Sequence, residues 1–133
     1  MSITEPLGIL LIAHGSRRAE ANEDLVVLRQ MVQSAYPDAI VRHAYLELTH
    51  PTIPKGAHEC VAQGVKRVVL LPYFLSLGTH VVDDLQQYCR EFSAQFPDVQ
   101  FDVAAPLGLH PLMLQIVTSR LNDTLLDNAT PGT

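Results

Sequence analysis

The sequence predicts an α/β fold, a four-stranded parallel sheet with helices on both faces. Two near-continuous apolar runs, Gly8–Ala13 and Val68–Leu71, read as strands buried on both faces, which is how strands of a parallel sheet read. Apolar runs alternate with helix-like segments at intervals suited to βαβ units. A near-repeat, Ala35-Tyr36-Pro37-Asp38-Ala39-Ile40-Val41 and Gln95-Phe96-Pro97-Asp98-Val99-Gln100-Phe101, ends a helix and opens a strand at each of two places. Proline stops the helix in both, and the spacing is consistent with two related βαβα halves.

The first strand covers about Gly8 to Ala13. A helix follows over Ala19–Ala35, with Leu25, Leu28, Val32 and Ala35 on one face at helical spacing. The second strand is about Ile40 to Leu46. The second helix begins near Pro51 and ends before Gly64, with Pro51 and Pro54 in a first turn that has no use for their missing N–H groups. The third strand runs from Arg67 to about Phe74. A third helix starts at Thr79 or His80, has Asp83 and Asp84 near its positive end, and runs to about Gln95. The fourth strand is about Val99 to Ala104, and the last helix spans roughly Pro111 to Leu126.

Residues 1–126 are thus expected to form a single domain, with 127–133 as a flexible polar tail. The 133 residues are 47% apolar, enough for one core that buries roughly 68% of the unfolded surface. No apolar stretch approaches the roughly 20 residues that span a bilayer, and Met1–Leu7 lacks the marks of a secretory leader, so a cytoplasmic protein is expected. Cys60 and Cys89 fall in separate helices without metal-ligand spacing and read as buried free thiols. A net charge of −5 with no Lys/Arg cluster argues against nucleic-acid or anionic-membrane partners.

In the common strand order 2-1-3-4, the first and third strands are neighbours whose helices leave to opposite faces. Ligands bind at that switch point, outside the carboxyl ends of the strands. His14 follows the first strand and His80 the third, so the two are expected to face each other across the crevice, with Glu47 one strand further along the rim. Two imidazoles and a carboxylate suit a divalent transition metal with open coordination positions. They also accept protons near neutral pH.

The other histidines carry no assigned chemistry. His50 and His110 each precede a proline at a helix start and read as capping or exposed residues, His43 lies within a strand and His58 on a helix. P-loop, G-x-G-x-x-G, C-x-x-C and G-x-S-x-G patterns are absent. The segment Ser76-Leu77-Gly78-Thr79-His80 is a strand-to-helix turn whose backbone N–H groups suit an anion or a ligand carboxylate, or simply connect the two elements.

Three segments, Ala13-His14-Gly15-Ser16-Arg17, Tyr45-Leu46-Glu47 and Pro72-Tyr73-Phe74-Leu75-Ser76-Leu77-Gly78-Thr79-His80-Val81-Val82-Asp83-Asp84, together resemble the short-form sirohydrochlorin chelatases of the CbiX/SirB type. The resemblance covers about residues 7 to 123. It implies a class II chelatase-like α/β fold and insertion of a divalent metal into sirohydrochlorin without ATP, towards cobalamin, sirohaem or a related tetrapyrrole. Cobalt is favoured over iron or nickel, the metal is a substrate, and no organic cofactor is implied. By motif match, His14 is metal ligand and proton acceptor, His80 the second metal ligand, and Glu47 a metal or substrate contact. Ser16, Arg17 and the stretch Leu75, Ser76, Leu77, Gly78, Thr79 would meet the macrocycle, with Phe74 in its apolar wall. Arg17, Arg18 and Arg42 are the local cations available to its carboxylates. Larger chelatases of this kind have two similar lobes, so the resemblance also implies a homodimer.

Two other readings use the same residues. A metal or tetrapyrrole carrier would hold its cargo on the same histidines. Histidine phosphatases also place His-Gly after the first strand, but there an arginine precedes the histidine, where this chain has Ala13.

Overall fold

A computed structural model describes residues 6–126; the tail expected over 127–133 lies outside the described residues. The elements run β1 (Leu7–Ala13), α1 (Ala19–Ala35), β2 (Ile40–Tyr45), α2 (Ile53–Ala62), β3 (Arg67–Pro72), α3 (Thr79–Gln95), β4 (Gln100–Val103) and α4 (Met113–Leu126). The strands form one parallel sheet in the expected order β2-β1-β3-β4. Ile12 pairs with Ala44 on one side and Pro72 on the other, so the ends of the three strands that carry the candidate residues come out level.

β1 is buried on both faces because alternate side chains enter different cores. Leu10 and Ile12 join Ala44, Val68 and Leu70 beneath α2 and α3, where Ile53, Ala57, Cys60, Leu85, Cys89 and Phe92 close the layer. Ile9 and Leu11 join Val41, Tyr45 and Leu25 of α1 on the opposite face. The near-repeat has a structural counterpart. Tyr36 and Phe96 end their helices with almost the same backbone angles, φ −129° and ψ 72° against φ −126° and ψ 75°. Each donates its N–H to the residue four back and accepts from the residue three on.

Capping corrects several boundaries. The second helix starts at Ile53, because Thr52 is its N-cap and accepts from the Lys55 N–H at 3.3 Å. Pro51 stays outside the helix, and its carbonyl accepts from the Tyr45 N–H at 2.9 Å. β2 and β3 stop at Tyr45 and Pro72, and the last helix begins at Met113. Asp83 and Asp84 lie beyond the first turn of α3, which carries no acidic residue. Ala35 is exposed at its helix end.

α1 lies on one face and α2 and α3 on the other. No residue of α4 is buried or belongs to either core cluster.

Candidate functional site

The backbone brings His14 and Glu47 together before their side chains do. Beyond Ala13 the β1–β2 ladder continues, with Leu46 N–H donating to the Ala13 carbonyl at 3.0 Å and Glu47 N–H to the His14 carbonyl at 3.1 Å. His14 Nε2 then lies 2.7 Å from Glu47 Oε1, and both side chains remain more than half exposed. A ligand larger than a water molecule can therefore reach the pair.

Gly15 makes that approach possible. Its φ of +99° is left-handed, and a Cβ there would run into the Glu47 carbonyl oxygen. The turn is held from the side by Asn22 of α1, which accepts from the Ser16 N–H at 2.9 Å and donates to the Ser16 carbonyl at 2.7 Å. Tyr45 hydroxyl donates to the Asn22 carbonyl at 2.8 Å, tying α1 to the end of β2. Burial pushes the Tyr45 hydroxyl above its ordinary pKa, so it remains a donor at neutral pH. Asn22 and Tyr45 were outside the sequence-based site. An Asx side chain six residues after a strand-end turn was the available signal.

The β3 side supplies an apolar wall. Tyr73 N–H donates to the Ile12 carbonyl at 2.7 Å, and the Phe74 ring meets the His14 ring edge to face with centroids 6.5 Å apart. Phe74 and Leu77 pack on the core, whereas Leu75 is 63% exposed beside them. The loop after β4 is fastened here too, through Leu107 N–H to the Phe74 carbonyl at 2.8 Å and Gly108 N–H to the Leu75 carbonyl at 2.9 Å. A side chain at 108 would collide with that Leu75 carbonyl. Gly78 caps α3 without a side-chain hydrogen bond, and the first helical bond at that end is from Val82 N–H to the Gly78 carbonyl. The N–H groups of Thr79, His80 and Val81 are the orphan donors of that helix end.

The expected set of His14, Glu47 and His80 is present as a pair with His80 apart. His80 is exposed in the first turn of α3, and among the described residues no three His, Cys, Asp or Glu side chains gather into a metal-holding group. Arg17 is exposed on the β1–α1 loop. Arg18 pairs with Glu20 at 3.2 Å, and Arg42 with Glu59 of α2 at 3.3 Å. His110 is exposed, and its Nδ1 accepts from the Leu112 N–H at 3.1 Å in the turn that precedes α4. His50 is exposed, and the cap of α2 is Thr52. Both cysteines are buried and unpaired, and burial pushes the Cys60 thiol up to about 11.

Known proteins share this arrangement of strands and sequence. The chain is 36% identical over 118 residues to the chloroplastic sirohydrochlorin ferrochelatase of Arabidopsis thaliana, a match covering 89% of this chain and 52% of that protein. It is 28% identical to the sirohydrochlorin cobaltochelatase of Methanosarcina acetivorans, covering 92% of this chain and 100% of that one. The crystal structure of the sirohydrochlorin chelatase SirB of Bacillus subtilis in complex with cobalt superimposes with a TM-score of 0.81 at 24% identity, over 89% of this chain and 50% of that chain. The last is a likeness of fold. The chain thus spans about half the length of its longer relatives and the whole of a short one. The sequence profile of the CbiX family matches residues 8–124, nearly all that the sheet and its helices occupy, and this chain belongs to the CbiX family.

Proposed function

We propose that this protein is a sirohydrochlorin chelatase, a single-domain cytoplasmic enzyme that works as a homodimer and inserts a divalent metal into the macrocycle without ATP or an organic cofactor. The observation that carries the reading is the solvent-reachable His14–Glu47 pair at the switch point of a CbiX-family sheet.

The pair suits a metal that must arrive and leave. Adjacent ligands at about 2.1 Å from a dication stand roughly 3 Å apart, close to the 2.7 Å between Nε2 and Oε1, so the ion can replace the proton these atoms share without moving either element. Two protein ligands leave most of the coordination sphere open, so the ion is not trapped. His80, in the first turn of α3 and outside that pair in this structure, is the second imidazole of this reading. When the metal passes to the ring nitrogens, two pyrrole protons must leave. The vacated His14–Glu47 pair takes one back, and water takes the other. The apolar surface of Phe74, Leu75 and Leu77 supports the macrocycle, while Ser76, Gly78 and Thr79 with the open end of α3, and Ser16 and Arg17 across the rim, meet its carboxylates. Cobalt is the favoured metal, with iron and nickel as the others that imidazole accepts.

The test mixes purified protein with sirohydrochlorin and Co²⁺, Fe²⁺ or Ni²⁺ and follows the absorption spectrum. Catalytic turnover above the protein-free rate with at least one metal is expected. No acceleration with any of the three overturns the reading, and tight binding without turnover identifies a carrier.

A further inference from the structure

Two leucines on the rim stand where leucine is an unfavourable choice. Leu48, next to Glu47, has a left-handed backbone with φ +71° and is 52% exposed. Among the described residues it alone combines a side chain with a positive φ, and it belongs to neither core cluster. A Cβ makes this conformation costly, and glycine or asparagine adopts it more readily. The reversal itself has a clear cause. Glu47 N–H is bonded to the His14 carbonyl and the Pro51 carbonyl to the Tyr45 N–H, so residues 48–50 must bring the chain back alongside β2. That explains a left-handed residue at 48, but the fold offers no reason for it to be leucine.

Leu109 is the second case. His110 N–H donates to the Leu107 carbonyl at 3.0 Å, closing a turn with Gly108 and Leu109 at its tip, and Leu109 is 98% exposed. Turn tips ordinarily carry glycine, proline or a short polar side chain. The turn is also fixed in place, since Gly108 N–H donates to the Leu75 carbonyl and a Cβ at 108 would strike that oxygen. Leu109 is therefore presented at one place beside the apolar wall.

Both leucines lie on the rim of the proposed site, at its two ends. β2 and β4 are the outer strands, so the loops after them bracket His14, which follows β1, and the Phe74–Leu75–Leu77 wall, which follows β3. Three strand spacings, about 14 Å, separate the outer strands. That breadth suits a flat multi-ring ligand and far exceeds what a metal ion needs. Backbone strain and exposed apolar side chains gather at ligand sites because the ligand supplies the burial that the free protein lacks.

We infer that Leu48 and Leu109 are the outer apolar contacts of the macrocycle, meeting the ring edges from the β2 and β4 ends while the wall supports its face. Resting on the sirohydrochlorin reading, this adds two contacts that lie outside the three segments carrying the family resemblance. Their part is to seat the ring; metal and protons stay with His14 and Glu47.

Fluorescence titration of sirohydrochlorin into the metal-free full chain tests it, since seating the ring requires no turnover. Leu48→Gly and Leu109→Ser are each expected to weaken tetrapyrrole binding about 10-fold, as loss of one apolar side chain from a buried contact does. Cobalt affinity, read separately by calorimetry, stays at the wild-type value because neither change touches His14 or Glu47. Leu48→Gly carries a second signature: glycine relieves the left-handed strain, so its thermal midpoint does not fall while its tetrapyrrole binding does. Wild-type tetrapyrrole affinity in either variant overturns the inference. So does weaker binding that comes with a change in sedimentation coefficient, which assigns the leucines to a contact between copies. A wild type that binds no sirohydrochlorin overturns this together with the proposed function, whereas one that shows the expected losses but inserts no metal sinks only the activity.

Discussion

His14 Nε2 and Glu47 Oε1 are 2.7 Å apart because the ladder joining β1 to β2 runs on for two residues past the strands and delivers both side chains to the same point on the rim. The contact is therefore a property of the sheet rather than of a flexible loop. Under the proposed function a metal would meet two side chains already in place, which limits the ordering cost of binding.

Glu47→Gln keeps the shape and removes the charge. Cobalt affinity is expected to fall about 10- to 100-fold, the usual consequence of altering a carboxylate that holds or orients a metal-binding imidazole. Titration followed by calorimetry or visible absorption reads this directly. Thermal stability should hardly change, since both side chains are more than half exposed and such pairs contribute about 0–1 kcal/mol. Unaltered cobalt binding would remove Glu47 from the site.

Gly15→Ala deletes no functional group, yet its effect should exceed that of Glu47→Gln on folding. The new methyl must be accommodated at φ +99° and against the Glu47 carbonyl. A loss of about 1–3 kcal/mol in denaturant unfolding is expected, together with reduced metal affinity as the two side chains separate. Wild-type stability in this variant would show that the turn tolerates a side chain.

Asn22→Ala removes both hydrogen bonds to Ser16 without touching His14 or Glu47. About 1–2 kcal/mol of stability should go with them. If Asn22 is a positioning residue, metal insertion slows several-fold while Asn22→Asp, which keeps the acceptor for the Ser16 N–H, recovers part of the rate. Equal rates in both variants would limit Asn22 to a structural role.

His43 gives the fold an acid limb of its own. Burial first, and then Arg29, push its pKa below the ordinary 6.5, against the opposing pull of Glu59 and Glu23. The unfolded chain then takes up the proton more readily than the folded one. The stabilising contribution is full above about 6.5 and is lost as pH falls from there through the lowered folded value. Unfolding followed from pH 7.5 to 4.5 should show this loss, and His43→Gln should flatten it. Parallel profiles for the two proteins would contradict the assignment.

α1 was legible to the residue and α3 to within one residue at its start, and both ends were marked by the same proline-stopped turn, a local signal. The start of α2 was misread, since Thr52 rather than Pro51 takes the cap and a proline pair suits a first turn or the residues just before it equally well. At the site, His14 and Glu47 were legible as strand-end positions, and their contact follows from the strand order. Asn22 was missed although its partner, the Ser16 backbone, is only six residues away, because an Asx side chain near a helix start has several local partners open to it and the path of residues 15–19 decides among them. The place of His80 outside the pair was equally hidden, as seven residues of loop and helix start separate it from the end of β3.

What the sequence determined by itself is the alternation of strand and helix, a parallel sheet, and the family resemblance carried by three short segments, whereas the 2-1-3-4 order was adopted as the common one for such a sheet and is what the structure has. The first three rest on periodicity, proline and local motifs, which act over a few residues. The tertiary structure alone decided the 2.7 Å spacing of His14 and Glu47, that His80 joins no group with them, that Gly15 must lack a side chain, and that α4 finds no place in the core. Each depends on distances between segments far apart in the chain. Such distances are set by how the layers pack around the sheet, and no local pattern encodes them.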